Sequence, residues 1–114
     1  MADCLFCKIV KKEIEARILF EEEDVLSFYD INPQAPVHIL VIPKKHIEKL
    51  SDIKEEDEKL LFNLINACNR VAKITGISEK GYRVVVNIGR ESGQSVFHIH
   101  FHVLGGRPMR WPPG

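Results

Sequence analysis

The sequence predicts an α+β domain: an antiparallel sheet of about five strands, one long helix and a short N-terminal helix. Three observations predict it. One stretch ending at Thr75 repeats apolar residues at helical spacing: Leu60, Leu61, Leu64, Ile65, Cys68, Val71 and Ala72. Short β-prone runs lie on either side of it, and the short turns between neighbours favour antiparallel pairing. At 114 residues the chain is a single domain, residues 1–114, able to bury roughly two-thirds of its unfolded surface.

The elements follow in order. Residues 4–12 carry Leu5, Phe6, Ile9 and Val10 on one side and form a short helix. Arg17 to Glu21 and Val25 to Tyr29 make a hairpin around the acidic turn Glu22-Glu23-Asp24. Asn32 to Pro36 holds two prolines and is a loop; His38 to Ile42 is a strand ended by Pro43. Asp52-x-x-Glu55 resembles a capping box, so the long helix is expected from there to Thr75, with Gly76 as its stop. Tyr82 to Ile88 is a strand, Gly89 to Ser95 a polar loop, and His98 to Leu104 the last strand, broken by Gly105-Gly106. The tail, Arg107 to Gly114, has three prolines and no regular pattern.

Composition narrows the function. Formal net charge is zero with histidine neutral, so no long-range field draws nucleic acid or an acidic membrane. No run approaches the ~20 apolar residues that span a bilayer. The short acidic start, Met-Ala-Asp-Cys, is unlike a signal peptide. An odd cysteine count of 3 suits a reducing compartment. The expectation is a cytoplasmic protein without nucleic-acid or membrane partners.

The segment richest in chemistry is Gly93-Gln94-Ser95-Val96-Phe97-His98-Ile99-His100-Phe101-His102-Val103-Leu104. Side chains alternate along a strand, so His98, His100 and His102 share one face, about 7 Å apart, and Ile99, Phe101 and Val103 share the other. Burying Phe101 contributes ~1.5–3 kcal/mol, enough to set the register. Three imidazoles this close cannot all be charged, and a neutral imidazole keeps one lone pair and one donor. The lone pair is a nucleophile or a metal ligand. The Gly93-Gln94-Ser95 loop upstream offers amide donors for an anion. A histidine nucleophile beside such a cradle suits phosphoryl transfer. By spacing alone, a three-histidine metal site is the rival reading.

His98-Ile99-His100-Phe101-His102-Val103-Leu104 resembles the His-φ-His-φ-His-φ-φ signature of the histidine-triad superfamily. Asp30 to Pro36, His38 to His46, Gly93 to Phe97, Gly105-Gly106-Arg107 and the ending Trp111-Pro112-Pro113-Gly114 resemble its nucleotide-binding branch, and the likeness covers nearly the whole chain in order. The resemblance implies hydrolysis of purine nucleoside phosphoramidates by a homodimer whose sheets join across the two-fold axis. His100 matches the nucleophile, which forms a nucleotidyl-histidine intermediate that water cleaves. Ser95 and Gln94 match contacts to the α-phosphate and leaving group, His102 a phosphate contact, and Asn87 and Gly93 further ligand contacts. Asp30 and Ile31 match residues bordering the nucleoside, the ribose hydroxyls lying near Asp30. His98 completes the triad, and His38 supports it from the neighbouring strand. Trp111 matches a segment shaping the leaving-group side, in the partner subunit. Phe6, Ile9 or Phe28 would line an apolar slot for the base. Breaking a P–N bond also needs a proton on the departing nitrogen. Ser95 or the triad could deliver it, and the sequence does not choose.

Cys4-x-x-Cys7 with His46 and His98 has the ligand types of a four-coordinate zinc site, and some microbial histidine-triad proteins carry zinc in this way. The other reading is two buried thiols spaced i, i+3. Such a zinc would be structural, with no cofactor needed for catalysis, and would remove His98 from phosphate binding. Three other functions compete with the phosphoramidase: a dinucleoside polyphosphate hydrolase using the same nucleophile, a nucleotide-binding regulatory protein whose hydrolysis is incidental, and a zinc-organised interaction module. Lys44 and Lys45 are expected to be solvated surface charge.

Overall fold

A computed structural model describes residues 4–114. Helix α1 (Leu5–Val10) is followed by strands β1 (Ile18–Glu21), β2 (Val25–Tyr29) and β3 (Val37–Pro43). Helix α2 (Glu58–Thr75) leads to β4 (Arg83–Val86) and β5 (Phe101–Gly105). The five strands form one sheet in the order β1-β2-β3-β5-β4, antiparallel at every pairing. The predicted fold class holds: five antiparallel strands, one long helix and one short helix.

The register sorts the side chains. Phe28, Leu40, His102 and Val85 form one row across the sheet. Ser27, Val41, Phe101 and Val86 form the next, on the opposite face. Against the second face lies α2, whose buried Leu64, Ala67, Cys68, Val71 and Ala72 meet Val25, Ile39, Val41, Ile99, Phe101 and Val103. Against the first lies α1, whose Phe6 and Ile9 pack on Leu26, Phe28, Leu40 and Ile42. A helix of 6 residues covers only part of a sheet face, and the histidines occupy the remainder. Among the described residues, no helix is long and apolar enough to cross a membrane.

Four expectations need correction. The long helix starts at Glu58, and Asp52 and Glu55 do not cap it. Two 3-10 turns, Leu50–Asp52 and Glu55–Asp57, precede it instead. The carboxylate that organises this start belongs to Asp57: it accepts the Lys54 amide at 3.1 Å and the Lys45 ammonium at 2.8 Å.

The last strand begins at Phe101, not His98. Continuing the ladder would set Ile99 against Pro43, which has no N–H to give. The Ile99 amide donates to the Ile47 carbonyl at 2.8 Å instead. The strand expected over Tyr82 to Ile88 shortens to β4 for the same reason, because its partner stops at Phe101. Gly105 also has a different role from the one expected. It is the last residue of β5, and a Cβ there would lie 2.5 Å from Ile77 Cδ1, so close packing demands the glycine. The stop at Gly76 is as expected, left-handed at φ 80°, with its amide and that of Ile77 satisfying the last helical carbonyls.

Candidate active site

Although His98–His100 leave the ladder, the alternation survives: Ile99 and Phe101 are buried under α2, and the three imidazoles lie on the other side of the sheet. Their fates differ, and the backbone groups beside them decide which nitrogen carries each proton. His100 Nδ1 lies 2.9 Å from the His98 carbonyl. A carbonyl only accepts, so Nδ1 holds the proton and Nε2 keeps the lone pair. The Gln34 amide donates to His38 Nδ1 at 3.0 Å, which puts the His38 proton on Nε2. That Nε2–H lies 2.9 Å from His102 Nδ1 and 3.3 Å from Asp30 Oδ2. His102 therefore accepts at Nδ1, and its own proton sits on Nε2 as a free donor.

These assignments need neutral rings, and burial supplies that condition. Desolvation lowers the pKa of His38, His98 and His100 below the ordinary histidine value, and that of His102 to about 4. For His38, the Asp30 carboxylate opposes the shift without reversing it.

His100 and His102 face a cavity of about 480 Å³, within the range of small-molecule sites. Its apolar wall comes from Leu5, Phe6 and Ile9 of α1 with Phe28 and Leu40 of the sheet. Asp30, Ile31 and Ser95 complete the polar side and rim. Phe6 sets its edge against Phe28 at 5.5 Å and against the His100 ring at 5.1 Å between centroids. One end of the cavity is thus apolar and aromatic, and the other offers a lone pair, an N–H donor, a hydroxyl and a carboxylate. That is the pattern of a ligand with a flat apolar part and an anionic part.

His98 turns elsewhere. It is fully buried, and its Nε2–H donates to the Pro43 carbonyl at 2.7 Å, so the Nδ1 lone pair faces the cysteines. Nδ1 lies 3.4 Å from Cys4 Sγ, 3.6 Å from Cys7 Sγ and 3.2 Å from His46 Nδ1, and Cys7 Sγ is 3.2 Å from His46 Nδ1. A tetrahedron built on zinc–sulfur and zinc–nitrogen bond lengths has edges of about 3.3–3.8 Å. Four of the six separations, 3.2–3.6 Å, lie close to that figure, and all four ligand atoms are within 4.8 Å of one another. A second histidine group, Asp30, His38 and His102, also converges. Its facing nitrogens are already joined by a proton, which leaves no pair of lone pairs for a metal. The triad rings themselves do not converge, because His98 presents its lone pair to the thiols; the rival three-histidine metal site has no geometry here.

The chain and its fold are similar to those of known proteins. The family model for the HIT domain matches residues 11–109. The chain belongs to the HIT domain family. An uncharacterised HIT-like protein of Synechocystis sp. is 50% identical over 112 residues, covering 98% of this chain and 97% of that protein. The crystal structure of a HIT family hydrolase from Legionella pneumophila is 51% identical with a TM-score of 0.96, covering 98% of this chain and 100% of that one. A HIT family hydrolase from Clostridium thermocellum is 47% identical with a TM-score of 0.94, covering 96% of each chain.

Within the HIT domain, several residues expected at the ligand lie elsewhere. The Gln94 side chain is buried and fully engaged: its Oε1 accepts the Gly89 amide at 2.8 Å, and its Nε2 donates to the carbonyls of Glu48 at 2.7 Å and Val96 at 3.1 Å. It braces the loop that presents Ser95, so its side-chain donors are engaged by backbone carbonyls rather than turned to the cavity. Gly93 closes the 3-10 turn Arg90–Ser92 in a left-handed conformation, and neither it nor Asn87, just past β4, lines the cavity. Trp111, expected to shape the leaving-group side of the partner subunit's site, is 82% exposed and lies outside this chain's cavity. Sequence reasoning missed the parts played by Pro43, whose carbonyl orients His98, and by Leu5, Leu40 and Val96 in the cavity wall. Lys44 and Lys45 are surface ion-pair partners, of Glu21 at 2.7 Å and Asp57 at 2.8 Å.

Proposed function

We propose that this HIT domain hydrolyses the P–N bond of purine nucleoside phosphoramidates through a nucleotidyl intermediate on His100. One observation carries the reading: His100 is held by the His98 carbonyl with Nδ1 protonated and Nε2 free, beside a cavity whose other polar nitrogen, His102 Nε2, is a donor.

The chemistry follows from those two nitrogens. The purine fits between Phe6, Ile9 and Phe28, with the ribose beside Asp30. His102 Nε2–H donates to a phosphoryl oxygen, where charge grows as phosphorus is attacked. His100 Nε2 forms a bond to phosphorus, the P–N bond breaks, and the amine departs after taking a proton that Ser95 relays from solvent. Water then attacks phosphorus, returning one proton to solvent by the same relay, and the P–Nε2 bond breaks, giving a nucleoside monophosphate and restoring neutral His100. The His98 carbonyl favours attack, because it stabilises the positive charge that develops on the ring.

Two further parts belong to the reading. Cys4, Cys7, His46 and His98 would hold a zinc ion, which would tie α1 to the sheet; the four-atom fit supports it, and the reaction is not routed through it. The active form would be a homodimer. Support comes from β4, which pairs on one side only, with Val84 and Ile88 exposed along it. On α2, exposed Phe62 and Ile65 share a helical stripe with Asn69, whose Oδ1 accepts the hydroxyl of Tyr82 just before β4 at 2.5 Å.

The test is rapid quenching of the protein with an adenosine phosphoramidate, followed by intact mass measurement. A nucleotidyl adduct on the wild-type chain and none on His100→Ala is expected, with faster turnover of the phosphoramidate than of a diadenosine polyphosphate. Full turnover by His100→Ala, or preference for the dinucleotide, overturns the assignment.

A further inference from the structure

The metal quartet and the nucleoside cavity meet in one short helix. Cys4 caps α1, its Sγ accepting the Cys7 amide at 3.4 Å, and Cys7 lies within the helix. Phe6 lies between these two thiols in sequence, and its ring packs edge-on to His98 at 5.9 Å and to His100 at 5.1 Å. The same ring is a wall of the cavity, with Leu5 and Ile9 beside it. Leu5 also lines a neighbouring cavity of about 400 Å³ that reaches Cys4, His46 and Ser95, so α1 is the partition between the two.

A helix of 6 residues is far too short to be stable alone. It stays in place by burying Phe6 and Ile9 and by whatever joins Cys4 and Cys7 to His46 and His98. A ligand of apolar, flat shape uses the same Phe6 and Ile9 surface. Two binding events thus need the same helix in the same place, and each removes part of the ordering cost of the other.

We propose that α1 couples the metal quartet to the nucleoside cavity, so that zinc on Cys4, Cys7, His46 and His98 raises affinity for the purine nucleoside through Phe6, and a bound nucleotide raises affinity for zinc by the same factor. Cys4, Cys7 and His46 are then positioning residues for nucleoside binding. This inference rests on the nucleotide reading of the cavity. The coupling acts on the base rather than on the phosphate, because Asp30, Ser95, His100 and His102 are not on α1.

The experiment measures adenosine monophosphate binding by calorimetry to zinc-loaded and chelator-treated protein, and zinc binding by chelator competition with and without the nucleotide. The coupling should be on the order of tenfold, within the 5–150-fold range usual for linked sites, and equal in both directions. Ribose 5-phosphate, which lacks the base, should bind alike in both metal states. In Phe6→Ala the coupling should fall towards unity, with circular dichroism checking that the variant is folded. Cys4→Ser gives a second route to the metal-free state, and should weaken nucleotide binding as chelation does. Equal nucleotide affinity in both metal states, coupling that persists in Phe6→Ala, or failure to bind zinc overturns the proposal. A zinc-loaded protein that binds no nucleotide overturns instead the reading of the cavity on which it rests.

Discussion

The two faces of the sheet are made by the same strands and are used in opposite ways. On the α2 face the inward positions are apolar except Ser27, whose hydroxyl is bonded to the Phe20 backbone: Val25, Ile39, Val41, Phe101 and Val103 meet an 18-residue helix and form a closed core. On the other face the helix is only 6 residues long, and the positions it cannot cover hold His38, His100 and His102. The difference teaches how a small domain makes an active site. One face supplies the burial that sets the register, and the register then holds the other face's side chains in line, although buried polar groups there add little to stability.

That contrast can be broken or sharpened by substitution. The largest effect should be on turnover, not stability. His100→Asn removes the nucleophilic nitrogen, and single-turnover rates should fall by at least about 10³-fold, some 4 kcal/mol of barrier. Its unfolding free energy in urea should fall by no more than the ~1 kcal/mol of one hydrogen bond. A variant that unfolds instead would show that the histidine face, too, is structural. Next in size is Phe101→Ala on the opposite face, which should cost about 3–5 kcal/mol in denaturant unfolding, as large aromatic deletions in cores do. The folded fraction should keep its nucleotide affinity; a loss there would show that the faces are not separable.

The smallest effect is in the pH dependence. The folded-state pKa of His102 lies at about 4, below the ordinary histidine value, because burial disfavours its charge. The unfolded chain therefore binds a proton first as pH falls, so the His102 contribution is fully present above about pH 6.5 and is lost progressively towards pH 4. Wild type should lose more stability across that window than His102→Gln in the same metal state. Parallel pH curves for the two would contradict the buried neutral ring.

Much of this was legible in the residues. The helical repeat from Leu60 to Ala72, the hairpin signal around Glu22-Glu23-Asp24 and the alternation of histidine with Ile99, Phe101 and Val103 are local patterns, and local patterns appear in the chain itself. The failures share one cause. Whether Asp52 or Asp57 organises the start of α2 depends on Lys45, 12 residues before Asp57 in sequence. Where β5 begins depends on Pro43 across the sheet. Gln94 looks like a ligand contact until the carbonyls of Glu48 and Val96 and the Gly89 amide are seen to use its whole amide.

By itself, the order of residues determined the α+β class, the shared face of three imidazoles and the identity of the HIT domain, because periodicity and short motifs are properties of neighbours along the chain. Only the tertiary structure decided that His98 faces two thiols, that His100 keeps Nε2 free, and that His102 is a donor. Each of those outcomes is set by a backbone carbonyl, an amide or a side chain brought in by another element or by the turn of the strand itself. Proton positions on an imidazole follow from such partners, and partners are fixed by folding.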